Sequence, residues 1–220
     1  MPSRPRIAFA EAASQDQGAL HNMVVDRDDL SANLARFYDF TGKTVLYVGA
    51  GGGQLLGPAS GIRDVVAIDS DAKSLEGLRR ESRSKWKGVA IRFVPRGFES
   101  VDIRGDVAYF EFCLHEMSNP RMAIDRARLL APDVVVMDHL PESKWIFYGA
   151  EEAQVLKSFK AIESAGIRSQ KRFRTEQRFK DYGELAARLA GQGDLSLQRA
   201  ASLKGAKDIK IQMDYGLFLL

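Results

Sequence analysis

The stretch Thr44-Val45-Leu46-Tyr47-Val48-Gly49-Ala50-Gly51-Gly52-Gly53 constrains this chain more than any other. An apolar run that reads as a buried strand breaks into glycines at alternate positions, Gly49, Gly51 and Gly53, before a Gln-Leu-Leu segment that opens a helix. A turn this tight needs residues without a Cβ, both to reach unusual φ values and to let a ligand touch the backbone. The helix start supplies unpaired N–H groups aimed at whatever lies above the strand ends. A second apolar run, Val65-Val66-Ala67-Ile68, ends in Asp69. An acid there is placed to accept hydrogen bonds from the two ribose hydroxyls of a nucleoside ligand.

The rest of the chain alternates strand and helix patterns. Leu30, Leu34 and Phe37 recur at helical intervals within Leu20–Phe40. A helix is predicted over Ala72–Lys85, a strand over Val89–Val94, and a strand over Asp106–Phe112. A helix over Met122–Leu130, a strand over Asp133–Met137, a helix over 150–165 and a closing strand over Ile209–Leu220 follow. Such alternation means βαβ units and a parallel sheet covered on both faces. The expectation is a doubly wound α/β fold with a mostly parallel seven-stranded sheet. Residues 1–40 form an N-terminal helical extension or cap, and 41–220 form the ligand-binding domain. Within 167–205, the cationic cluster Arg168, Lys171, Arg172, Arg174, Arg178 and Lys180 reads either as a solvated basic strand and helix or as a cap over the substrate.

Composition narrows the classes. Apolar residues make up 45% of the 220, enough for a sizeable core in one domain. Lys plus Arg number 32 against 29 for Asp plus Glu, a balance that demands neither a nucleic-acid nor a membrane partner. Cys113 is the single cysteine, so no internal disulfide and no cysteine metal cluster is expected. No apolar run approaches the roughly 20 residues that span a bilayer, and the N-terminus lacks a signal-peptide pattern. A cytoplasmic location is expected.

The dinucleotide fingerprint G-x-G-x-x-G would put its third glycine at position 54, which is Gln54. The observed G-x-G-x-G, after a strand and with an acid ending the next strand, resembles the class I S-adenosylmethionine-dependent methyltransferases. The resemblance covers roughly residues 40–140 by motif. It implies S-adenosyl-L-methionine as cofactor, with Gly49, Gly51 and Gly53 against its methionine part and Asp69 on its ribose. It places Phe98 and Glu99 beside the adenine, and Phe110 and Glu111 near the methionine end. It also implies a Leu-His-His pattern after the fourth strand, where this chain has Leu114-His115-Glu116. The family usually carries an acid two residues before the first glycine; here Tyr47 stands there, and Glu111 is the candidate substitute.

Ligands in open α/β sheets sit outside the carboxyl ends of the strands. Asp138 and His139 follow the fifth strand and face the same crevice as His115. These three are the candidate catalytic residues, with Asp138 or Glu116 orienting a histidine whose ordinary pKa near 6.5 suits proton abstraction. Trp145, Phe147 and Tyr148 follow and could flank a planar substrate or pack a helix. Methyl transfer from a sulfonium is an in-line displacement that calls for alignment and exclusion of water. No metal is expected. The favoured expectation is a methyltransferase acting on a small-molecule acceptor. An RNA methyltransferase and a non-catalytic cofactor-binding protein are the alternatives, and the oligomeric state stays open.

Overall fold

Thr44–Val48 (β1) is buried along almost its whole length because it lies near the middle of a seven-stranded sheet. The computed structural model describes residues 27–52, 61–86 and 88–220. The other strands are Asp64–Asp69 (β2), Ala90–Pro95 (β3), Val107–Glu111 (β4), Asp133–His139 (β5), Ser169–Asp181 (β6) and Lys207–Leu219 (β7). Their order across the sheet is β3-β2-β1-β4-β5-β7-β6. The first five run parallel, and β7 runs antiparallel to both β5 and β6. Chain progression reverses between β1 and β4, so connections leave their carboxyl ends in opposite directions and open a crevice there.

Strand alternation divides the core into two layers. Val45 and Tyr47 of β1, Tyr109 of β4 and Met137 of β5 face one way. Leu46, Val48, Phe110 and Val136 face the other. The first face is covered by Arg27–Phe37 (α1) through Leu30 and Leu34, and by Ala72–Lys85 (α2) through Leu75 and Leu78. It is completed by Lys144–Gly149 (α4), Tyr182–Leu189 (α6) and Asp194–Ala200 (α7). The second face packs Pro120–Leu130 (α3) and Glu152–Ala165 (α5). Helix starts are fixed by side-chain caps. Asp71 accepts from Lys73 N at 2.9 Å, and Asn119 accepts from Met122 N at 3.1 Å with Pro120 at the first helical position.

The expected doubly wound, mostly parallel sheet is present. The helix expected from Leu20 is seen from Arg27, and residues 20–26 lie outside the described residues. The basic stretch after 167 is the sheet's own edge strand, β6, which among the described residues pairs only with β7. Most of its cations are neutralised in place. Arg168 meets Asp133 at 2.7 Å, Arg172 meets Glu142 at 3.4 Å, Arg174 meets the buried Asp214 at 2.7 Å, and Arg178 meets Glu176 at 3.4 Å. The part that follows is helical, with α6 packed against β6 and α7. No helix among the described residues is long and apolar enough to cross a membrane.

Candidate active site

The glycine turn is built for close approach. Gly49 has φ +68°, and a Cβ there would sit 2.5 Å from the Cβ of Cys113. After it, Ala50–Gly52 forms a single 3-10 turn. The Gly51 N–H donates to Asp69 Oδ2 at 2.9 Å, and the Asp71 N–H donates to Asp69 Oδ1 at 2.8 Å. Asp69 therefore ties the turn after β1 to the start of α2. Each of its half-buried oxygens keeps a lone pair for a ligand hydroxyl. Gly53 lies outside the described residues. The described part of this cradle fits a ribose and a close backbone contact, as the cofactor would require.

The other expected cofactor residues divide. Glu111 is buried at the end of β4, and its Oε2 accepts from the Tyr47 hydroxyl. Glu99 is exposed in the turn Phe98–Ser100 after β3. Phe98 and Phe110, the residues expected beside the adenine and near the methionine end, have their rings in the second core layer. They meet edge to face at 5.6 Å, at 5% and 0% exposure. The reason is strand alternation: Glu111 faces the layer of Tyr47, so Phe110 must face α3.

The three candidate catalytic residues come together around Asp138. Its Oδ1 lies 2.5 Å from His115 Nδ1 and accepts from His139 N at 2.9 Å. Its Oδ2 accepts from His115 N at 3.1 Å and from Ser158 Oγ of α5 at 3.0 Å. This buried carboxylate locks the loop after β4 to the end of β5. The His115 and His139 rings lie 5.3 Å apart, and Phe112 covers His139 at 4.8 Å with its own backbone at φ +46°.

Phe112, His115 and His139 line a cavity of about 270 Å³ with Glu116, Trp145, Glu151, Arg188 and Gln192. Glu151, Arg188 and Gln192 carried no signal in the sequence, because each reaches the cavity from a helix junction placed only by tertiary packing. Trp145 is buried and stacks on Phe179 at 5.9 Å, whereas Phe147 is exposed and packs edge-on against Tyr148. The aromatic trio thus gives the cavity one wall residue.

The electrostatics depart from simple imidazole chemistry. Burial opposes charge on His115, but attraction and the hydrogen bond from Asp138 outweigh it and push its pKa up to about 9. Burial, aided by the neighbouring His115, pushes His139 down to about 3. Burial also opposes charge on Asp138, yet His115 holds it below the usual carboxylate range. Glu116 and Glu151 are lifted by burial, with His115 partly countering. The expectation of a histidine titrating near 6.5 is thereby corrected: near neutrality His115 is a cation and His139 a neutral ring.

No protein-family model and no curated protein matches the chain. Solved structures do. A candidate methyltransferase from Bacillus halodurans C-125 is 16% identical, with 86% of this chain and 96% of that one covered at a TM-score of 0.63. A SAM-dependent methyltransferase from Aquifex aeolicus is 18% identical over 93% of each chain, at 0.53. Magnesium protoporphyrin IX methyltransferase from Synechocystis PCC 6803, solved with bound SAM, is 12% identical, with 87% and 77% covered at 0.50. With its strand order and its glycine turn tied to an acid after β2, the chain has the class I S-adenosylmethionine-dependent methyltransferase fold.

Proposed function

We propose that the chain is an S-adenosylmethionine-dependent methyltransferase acting on a small-molecule acceptor. The observation that carries this reading is the about 270 Å³ cavity beside the cradle of Gly49, Gly51 and Asp69. The two share a wall: Cys113 touches the Gly49 turn, and Phe112, His115 and Glu116 line the cavity. That volume is close to the lower end of small-ligand pockets. The pairing of the β6 cations with acids favours a small acceptor over RNA, since little basic surface there is left for phosphates.

The cofactor would be held by the Gly49–Gly51 backbone, by Asp69 on the ribose, and by Glu111 near the amino-acid end. When bound, its sulfonium supplies an electrophilic methyl group. Asp138 fixes His115, which as a cation offers its Nε2–H to an acceptor oxygen. His139 offers a neutral ring nitrogen to an acceptor hydroxyl, and α6 and α7 exclude water. Orientation of this kind contributes roughly 7–11 kcal/mol to a displacement.

Titration calorimetry with S-adenosylhomocysteine tests the reading, with NAD as control. Micromolar binding that Asp69→Ala weakens tenfold or more, and silence from NAD, support it and justify an acceptor screen. Silence at millimolar S-adenosylhomocysteine would end it.

A further inference from the structure

His115, His139 and Glu151 each bring one ligating atom within 4.8 Å of the others. They come from three different places: the loop after β4, the end of β5, and the residue before α5. His139 is 8% exposed, yet its Nδ1 has no hydrogen-bond partner. Glu151 Oε2 and Gln192 Oε1, in the same cavity wall, are also buried without a partner. Gln192 Nε2 donates to Glu151 Oε1 at 2.8 Å, which fixes the amide so that its oxygen is the group left over. Buried polar atoms are normally satisfied. Three orphans around one cavity, each able to give an electron pair, ask for an electron-pair acceptor.

Two imidazoles and a carboxylate form a donor set of borderline softness, suited to first-row divalent ions. The surroundings follow the pattern of such centres, in which a ligating histidine leans on a carboxylate. His115 Nδ1 is committed to Asp138, so Nε2 is the nitrogen left for a ligand, and an ion bound there would displace the Nε2 proton of the metal-free ring and take the place of its N–H contact with the acceptor. Glu116 and Asp138 add negative charge nearby against the one guanidinium of Arg188. His115, Glu116 and Glu151 stand on loops or at a helix junction, so the convergence is a product of the fold rather than of spacing along one helix.

We infer that His115, His139 and Glu151 bind a first-row divalent metal ion of the Zn²⁺ type, with coordination positions left open to the cavity. Three protein ligands and an open position are the arrangement of a reactive centre, not a structural one. The ion's use rests on the methyltransferase reading: it would hold the acceptor's hydroxyl or thiol and favour its ionised form. Its binding does not depend on that reading.

The test uses the full chain stripped with chelator, without cofactor. Co²⁺ is titrated while visible absorption is followed, and Zn²⁺ is then added in competition. One equivalent of Co²⁺ with ligand-field bands, displaced by Zn²⁺, is expected. His139→Gln and Glu151→Gln should each weaken binding about tenfold to a hundredfold, while the exposed Glu163→Gln should leave it unchanged. Circular dichroism checks that each variant is folded, and Glu151→Gln, only half-buried, keeps the test decisive if His139→Gln is not. No bands at millimolar Co²⁺, or bands unchanged in a folded Glu151→Gln, would overturn the site. S-adenosylhomocysteine calorimetry on the same samples separates the two ideas. Cofactor binding without metal binding removes only the ion, and metal binding without cofactor binding removes only the methyltransferase.

Discussion

Tyr47, the last but one residue of β1, donates its hydroxyl to Glu111 at the end of β4. Its ring is fully buried, stacked between Tyr109 at 5.5 Å and Trp86 at 6.4 Å. Glu111, the expected substitute for an acid at position 47, is thus steered by the residue that stands at that position. Tyr47→Phe keeps the stacking and removes the donor. It should cost about 1–3 kcal/mol of stability, read as a lower urea midpoint at unchanged slope, and weaken S-adenosylhomocysteine binding. An unchanged midpoint and unchanged binding would show that Glu111 needs no such support.

Asp138 accepts four hydrogen bonds from inside the core. Asp138→Asn should destabilise by about 3–5 kcal/mol, because it leaves donors facing donors and a buried pair broken. Proton NMR offers a sharper readout. His115 should titrate at about 9 in the parent protein and clearly lower in the variant, where burial is opposed only by the smaller pulls of Glu151 and Glu116. A His115 titration that stays alkaline in the variant would assign the shift to another group.

Stability of the metal-free chain should peak near pH 6.5. His115, raised, contributes stability that is complete below its unfolded value of about 6.5 and is lost as pH rises through about 9. His139, depressed to about 3, refuses a proton that the unfolded chain accepts, so stability also falls as pH drops below 6.5. Glu116 and Glu151, both raised, blunt the acid side, and Arg188 sharpens it by opposing charge on His139. The alkaline limb should amount to up to ~3 kcal/mol, the His115 and Asp138 shifts being one interaction counted once. Urea midpoints from pH 4 to 9.5 measure it, and a flat alkaline limb would contradict the pairing.

Gly42 and Gly49 make a matched pair, with φ +69° and +68°. A Cβ on Gly42 meets nothing within 4 Å, whereas one on Gly49 overlaps Cys113. Gly42→Ala should therefore show the conformational cost alone, about 1–2 kcal/mol. Gly49→Ala should add about 1–3 kcal/mol for the overlap. Equal losses in chemical denaturation would mean that the turn after β1 has room to spare.

What could be read from the sequence follows from burial. β1, β2, β4 and β5 are covered on both faces, so they stand out as continuous apolar runs, and the residues that follow them fall at the crevice. That logic reached Gly49, Asp69, His115, Asp138 and His139. It reached β6 only as one of two readings, a basic strand or a cap, because just Gln177 and Phe179 of its thirteen residues are buried and an edge strand paired on one side needs few apolar groups. It could not reach Glu151 or Gln192, whose positions depend on how α4, α6 and α7 dock. Nor could it say which face the rings of Phe98 and Phe110 take, because position after or along a strand does not fix that.

The seat of β7 between β5 and β6 has a consequence for assembly. Among the described residues β6 pairs with no other strand, so its place in the sheet depends on residues 207–219. The turn and helices that wall the cavity, carrying Arg188 and Gln192, lie between those two strands in the chain. The nucleotide half of the crevice, built from β1 to β4, needs none of them. β7 itself reaches β5 across a longer stretch of chain than any other described strand pair spans, so the wall that would choose the acceptor hangs on the most distant pairing in the sheet, and the half that would read the cofactor does not.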